Sequence, residues 1–93
     1  YLLAIEHDYR SYEAYSRLAS SYNALKEFEK ARKSAKDSIE LKKNNPSANF
    51  ELGVAEKGLG NIVAAKSAFE IASKDKKWRK ISRYELTMIE KGY

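Results

Sequence analysis

The chain has 93 residues, 43% of them hydrophobic and 33% charged, with a formal net charge of +5, four glycines, one proline and no cysteine. That length leaves room for one small domain, and the missing cysteines exclude a disulfide framework and a thiolate metal site. The longest apolar stretches are a few residues, far short of the roughly 20 that cross a bilayer, so no membrane insertion is expected.

Composition leaves the compartment open, with the cytoplasm favoured. Ala, Leu, Glu, Lys and Ser recur while glycine and proline are scarce, which favours helix formers over a turn-rich sheet and predicts an all-α fold. The net charge is the balance of 18 basic and 13 acidic residues interspersed along the chain. That mixture reads first as a solvated face and only second as a site for a polyanion.

In chain order, Tyr1 to His7 reads as the end of a helix. Leu2, Leu3 and Ile5 would leave an apolar edge there, which a second copy or preceding repeats would cover. Ser11 to Leu25 follows, with Tyr15, Leu18, Ala19 and Tyr22 at three-and-four spacing on one face. Leu25-Lys26-Glu27 allows a tight turn into Glu27 to Lys42, whose apolar stripe is Phe28, Ala31, Ala35, Ser38 and Ile39. Asn45 as cap, with Pro46 at the first helical position, opens Pro46 to Leu59, because the proline N–H would be unsatisfied there anyway. Gly60 stops that helix and Asn61 caps the next, Asn61 to Asp75. Trp78 to Lys91 completes the series.

These elements repeat. Ala14, Leu18, Leu25 and Ala31 recur 34 residues later as Ala48, Leu52, Leu59 and Ala65, and Leu52 recurs again as Leu86. Ile5 and Glu6 fall on Ile39 and Glu40 at the same offset. Each unit is therefore a helical hairpin. Small residues at Ala19, Ala31, Ala35, Gly53, Ala65 and Ala72 would let helices approach closely, with Tyr15, Leu18, Phe28, Leu52, Ile62 and Phe69 filling the space beside them. Leu52 is expected to be enclosed between its own hairpin and the one before.

The run Tyr15, Leu18, Ala19, Tyr22, Ala31, Ser38 and its echo Leu52, Gly53, Ala65, Phe69, Ala72 resembles the tetratricopeptide repeat. The resemblance implies an α-α superhelix of antiparallel helical hairpins, here a solenoid fragment. Its parts are the end of a preceding repeat (1–10), two repeats (12–45 and 46–79) and a C-terminal capping helix (78–91). The chain departs from the family pattern at Asn49, where an aromatic is expected with Phe50 beside it. It departs also at Glu56, where Tyr22 stood one unit earlier, and at Lys43 and Lys77, where the loop proline is absent.

No catalytic constellation is present, and neither enzyme activity, a metal nor a cofactor is expected. His7 is the single histidine and reads as a surface or capping residue. Gly58-Leu59-Gly60 belongs to a turn between helices, not to a phosphate loop. The acidic residues are scattered among lysines.

The resemblance implies a protein or peptide partner held in a concave groove lined by the first helix of each hairpin, as in a scaffold or adaptor. Groove-facing positions would be Glu13, Ser16, Arg17, Ser20 and Asn23, then Ser47, Phe50, Glu51, Val54 and Lys57, then Tyr84 and Met88. Phe50 with Tyr84 and Val54 with Met88 would form two apolar ladders, flanked by Arg17, Asn23 and Lys57 as polar neighbours. The family's carboxylate-gripping mode is not expected, because its positions hold Ser16, Ser20, Glu51, Ile81 and Glu85. The alternative is a nucleic acid or other polyanion on the basic 74–83 segment, where Trp78 sits among Lys74, Lys76, Lys77, Arg79, Lys80 and Arg83. Trp78 reads more simply as an apolar cover over the last hairpin, so nucleic acid is not the expected partner.

Overall fold

A computed structural model describes residues 11–92. The expected helix Tyr1 to His7, and with it the apolar edge of Leu2, Leu3 and Ile5, lies outside those residues. Five helices follow in order: α1 Tyr12–Ala24, α2 Phe28–Leu41, α3 Pro46–Gly58, α4 Ile62–Ala72 and α5 Arg79–Glu90. No strand occurs among the described residues.

Local chemistry sets the ends of these helices. The Ser11 hydroxyl accepts from the Ala14 amide at 3.1 Å and caps α1. At the other end of α1, the Glu27 amide reaches back to the Tyr22 carbonyl at 2.8 Å and the Lys26 amide to Asn23 at 2.9 Å. One repeat later the Asn61 amide bonds Glu56 and the Gly60 amide bonds Lys57, at 2.8 and 3.1 Å. Both turns are Schellman motifs, and both need a left-handed residue after the cap. Gly60 supplies it at φ +84°, whereas Lys26 adopts φ +60° with a β-carbon present.

Pro46 takes the first position of α3, as expected. The side chains of Asn45 and Asn61, read as caps, make no capping bond. They are drawn into contacts between helices instead. The fourth helix stops at Ala72 rather than running on to Asp75. There the Asp75 carboxylate accepts from the Lys77 amide at 2.9 Å, and Arg79 turns back onto the carbonyls of Ser73 and Lys74 at 3.1 and 3.4 Å. A cation is well placed at those carbonyls, the negative end of the helix dipole.

Each hairpin closes on itself: α1 packs on α2, α3 on α4, and α5 rests on α4. Between hairpins, α1 and α2 both meet α3, while α2 and α4 share at most a marginal contact. Helices α1 and α3 therefore lie close together, while α2 and α4 stand apart. The stack measures 42 × 26 × 17 Å, with α1 and α3 side by side.

The sealed interior is made of small residues. Among the described residues, eight of the nine buried apolar side chains are alanines, and Phe69 is the ninth. Leu52 is half-buried rather than enclosed, as are Tyr15, Leu18 and Phe28, and Ile62 is 40% exposed. The cause is the closeness of the helices. Where Ala48, Gly53 and Ala55 take the enclosed positions, no depth remains for a large side chain, which lies along the seam instead.

The two hairpins solve one steric problem in two ways. A β-carbon on Gly53 would stand 2.7 Å from the Phe69 ring. The same two positions in the first hairpin hold Ala19 and Ala35, both fully buried. A β-carbon is thus exchanged for a ring across the seam.

Gly53→Ala should lower stability by about 1–3 kcal/mol in denaturant melts, because a sealed phenyl ring cannot withdraw, although helix propensity alone would favour alanine by about 0.5–1 kcal/mol. A stabilised variant would show that the seam relaxes. At the left-handed turns, Lys26→Gly should stabilise by up to about 1 kcal/mol and Gly60→Lys should destabilise by a similar amount. Equal midpoints for both variants and the parent would refute the strain assigned to Lys26.

Candidate functional site

The hairpins meet through a buried polar junction. Ser38, fully enclosed, donates its hydroxyl to the Tyr12 carbonyl at 2.6 Å and lies 2.9 Å from the Ser16 hydroxyl. Because the Ser38 proton is committed to Tyr12, Ser16 must be the donor in that pair. Asn45 donates to Ser38 and Ser16 at 2.9 and 3.2 Å, and its own carbonyl accepts from Ser47 at 2.9 Å. Asn49 stands where an aromatic was expected. It is buried and donates to the carbonyls of Lys43 and Asn45, pinning the linker to α3.

Ser16 is therefore part of this interior junction and not free on the groove. Phe50, one repeat later, lies half-buried with its ring edge-on to Phe69 at 5.4 Å and tilted against Trp78 at 5.5 Å. Tyr84, at the next equivalent position, is 60% exposed. The Phe50–Tyr84 ladder thus runs along a position that serves as a packing slot in both complete hairpins. The reason is geometric: that helix face turns toward the second helix of the hairpin and the linker after it.

The remaining expected residues divide in two. Asn23 donates to the Glu51 carboxylate at 2.8 Å and to its backbone carbonyl at 3.0 Å, and Lys57 pairs with Glu85 at 3.1 Å. Both tie one repeat to the next. Val54 and Met88 are half-buried, while Arg17 is exposed on α1.

Around Arg17 the structure brings together groove-facing positions of two successive repeats. A depression of about 260 Å³ between α1 and α3 is lined by Glu13, Ser16, Arg17, Ser20, Ser47, Glu51 and Trp78. The four residues of α1 share one face at i, i+3, i+4 and i+7, and Ser47 and Glu51 are one turn apart on α3. Glu13 and Glu51 were expected to face the groove without being named as contacts, and Trp78 was expected only as a cover over the last hairpin. The repeat offset carried the signal for Glu51, which stands 34 residues after Arg17 and 34 before Glu85. Trp78 reaches the depression because the turn after α4 folds back over Phe50.

Burial pushes the Glu51 carboxyl above the ordinary carboxylate range, and the hydrogen bonds from Asn23 and Ser20 hold part of that rise back. A buried carboxylate, Glu56, sits at the turn between α3 and α4. It accepts from Asn61 at 2.9 Å and faces the Arg32 guanidinium at 3.5 Å, which is anchored in turn by Glu29 at 2.6 Å.

The basic segment turns its cations outward and its aromatic inward. Lys74, Lys76, Lys77, Arg79, Lys80 and Arg83 are exposed, while Trp78 lies half-buried against Phe50. Among the described residues no three histidine or acidic side chains converge as metal ligands, and no helix is long and apolar enough to cross a membrane.

Stacked helical hairpins on a 34-residue period define a helical-repeat protein. The family model described as tetratricopeptide repeat matches residues 12–45, which span α1, α2 and the linker to α3. No curated protein matches the chain, and no solved structure does. Tetratricopeptide repeats generally mediate protein–protein interactions and are typically non-catalytic.

The raised Glu51 gives a test of burial. In the folded chain Glu51 binds its proton more tightly than in the unfolded chain, so stability falls as pH rises from the ordinary carboxylate range through the raised value. Glu51→Gln, which keeps an acceptor for Asn23, should melt at a higher temperature than the parent at pH 7. That gain should vanish at pH values low enough to protonate Glu51 in both states. A gain unchanged across the range would show that the carboxylate's charge is not what costs stability.

Proposed function

We propose that this chain is an adaptor module that holds a peptide or protein partner along the concave face of α1 and α3. Residues 12–45 and 46–79 act as its two repeats, and α5 closes the end. One observation carries this reading. The helix face that in each hairpin is left over from internal packing converges on an open depression whose lining mixes carboxylates, a guanidinium, hydroxyls and an aromatic ring. A polar, hydrogen-bonding lining around an aromatic anchor is the makeup of an interface core.

Arg17, Tyr84, Val54 and Met88 are the proposed contact residues that keep accessible surface. Asn23 and Lys57 act by fixing Glu51 and Glu85, and Phe50 acts by seating Trp78. A polyanion on the 74–83 segment is the competing reading. It is weakened by Trp78 facing Phe50 and by Arg79 being spent on the carbonyls at the end of α4.

The test compares two variants of the full-length protein in partner capture. Tyr84→Ala combined with Met88→Ala should weaken capture by about tenfold or more with helical content unchanged. Charge reversal at Lys76, Lys77 and Lys80 should have a smaller effect that fades with added salt. Loss of capture on charge reversal alone, with the groove variant binding normally, would transfer the function to the basic segment.

A further inference from the structure

The lining of the depression has a consistent hydrogen-bond polarity. Ser16 spends its proton on Ser38, and Ser38 spends its own on the Tyr12 carbonyl. Ser47 spends its proton on the Asn45 carbonyl. Of the three hydroxyls that line the depression, those of Ser16 and Ser47 therefore offer lone pairs and no hydrogens, while that of Ser20 is turned to Glu51. Glu13 and Glu51 add two carboxylates, which only accept when ionised. Beside the depression, the Asn23 side-chain oxygen is buried and without a hydrogen-bond partner, since the amide nitrogen alone serves Glu51.

The sign of the charge agrees with the polarity of the hydrogen bonds. Two carboxylates against the one guanidinium of Arg17 make the lining net negative, in a chain whose total is +5. Trp78 supplies an indole wall, the aromatic surface to which cations are attracted most strongly. The volume, about 260 Å³, lies below the roughly 300–1,000 Å³ of small-molecule and cofactor pockets and suits a single long side chain.

We propose that the depression between α1 and α3 receives an arginine or lysine side chain of a basic peptide, its charged head lying over Trp78 between the carboxylates of Glu13 and Glu51. The proposal rests on the adaptor reading and names the chemistry of its partner. Guanidinium fits best, with up to five donors for a lining of acceptors and a planar face for the indole. The incoming charge also relieves the desolvation of Glu51, which Asn23 and Ser20 oppose with neutral donors alone. Arg17, four residues after Glu13 on the same helix, places a like charge at the rim that opposes an incoming cation.

Trp78 is the single tryptophan of the chain, so its fluorescence reports directly on this site. Three eight-residue Gly/Ser peptides serve as probes, carrying two arginines, two glutamates or two leucines. The arginine peptide should shift Trp78 emission saturably, and the other two should not. Glu13→Gln with Glu51→Gln should weaken that binding by roughly five- to twenty-fold, with the far-ultraviolet spectrum intact. Arg17→Gln should tighten it by roughly two- to five-fold, a gain that loss of folding cannot produce.

A saturable shift from the glutamate or leucine peptide, with none from the arginine peptide, would overturn the cation assignment while leaving the groove in use. Silence toward all three peptides overturns it as well. The adaptor reading is judged separately, because it falls only when the groove variant of the full-length protein captures its partner normally.

Discussion

Helices whose enclosed positions are alanine approach until little but backbone separates them, and the rest of this architecture adapts to that closeness. Ala19, Ala31, Ala35, Ala48, Ala55, Ala65 and Ala72 are all fully buried. Each alanine removes little apolar surface from water, so the seams gain from dense contact more than from area. The larger side chains cannot enter and line the edges, where they stay partly wet. With so small an apolar interior, the junction between repeats has to hold by other means. The first uses the closed set of Ser16, Ser38, Asn45 and Ser47, in which every hydroxyl proton has a destination. The second uses the rings of Phe50, Phe69 and Trp78. The frame repeats, and the chemistry that fills it does not.

That division explains what could be read from the residues beforehand. The 34-residue offset, the hairpins and the positions of the turns were legible, because small residues on a fixed period leave a pattern that does not depend on neighbours. The left-handed turn at Gly60 was visible through its glycine, whereas the same turn at Lys26 was hidden by a side chain that tolerates the conformation at some cost. Depth was not legible. Ser16, Phe50 and Tyr84 occupy one helix position, yet they are buried, half-buried and exposed in turn, since their cover is a linker 28 or 29 residues away or nothing among the described residues. Nor could spacing reveal that Asn23 and Lys57 would be taken up by Glu51 and Glu85, contacts made between repeats by side chains whose rotamers no period fixes.

The depression itself is a product of the same constraint. Because α1 and α3 are drawn together while α2 and α4 stand apart, side chains of α1 and α3 converge on one side of the stack. Ser16 and Ser47 belong both to the junction and to the lining, so the hydrogen bonds that join the hairpins also fix the donors and acceptors that the surface presents. A site built this way is rigid without owing its shape to a loop.

Glu51 and Glu56, one half-buried and one buried, show how differently α3 can treat the same group. Glu56 is matched by the Arg32 guanidinium and by Asn61, with Glu29 holding Arg32 in place, a set whose charges cancel within the fold. Glu51, little more than one turn earlier, has neutral donors from α1 and no cation of its own among its hydrogen-bond partners. A carboxylate partly withdrawn from water in this way carries a desolvation cost that a nearby cation would offset. Folding alone would be served as well by an amide, since glutamine would keep the bond from Asn23 and shed the desolvation. What a carboxylate adds at this position is charge directed into an open depression, which makes Glu56 intelligible as part of the fold and Glu51 intelligible as part of what the fold presents.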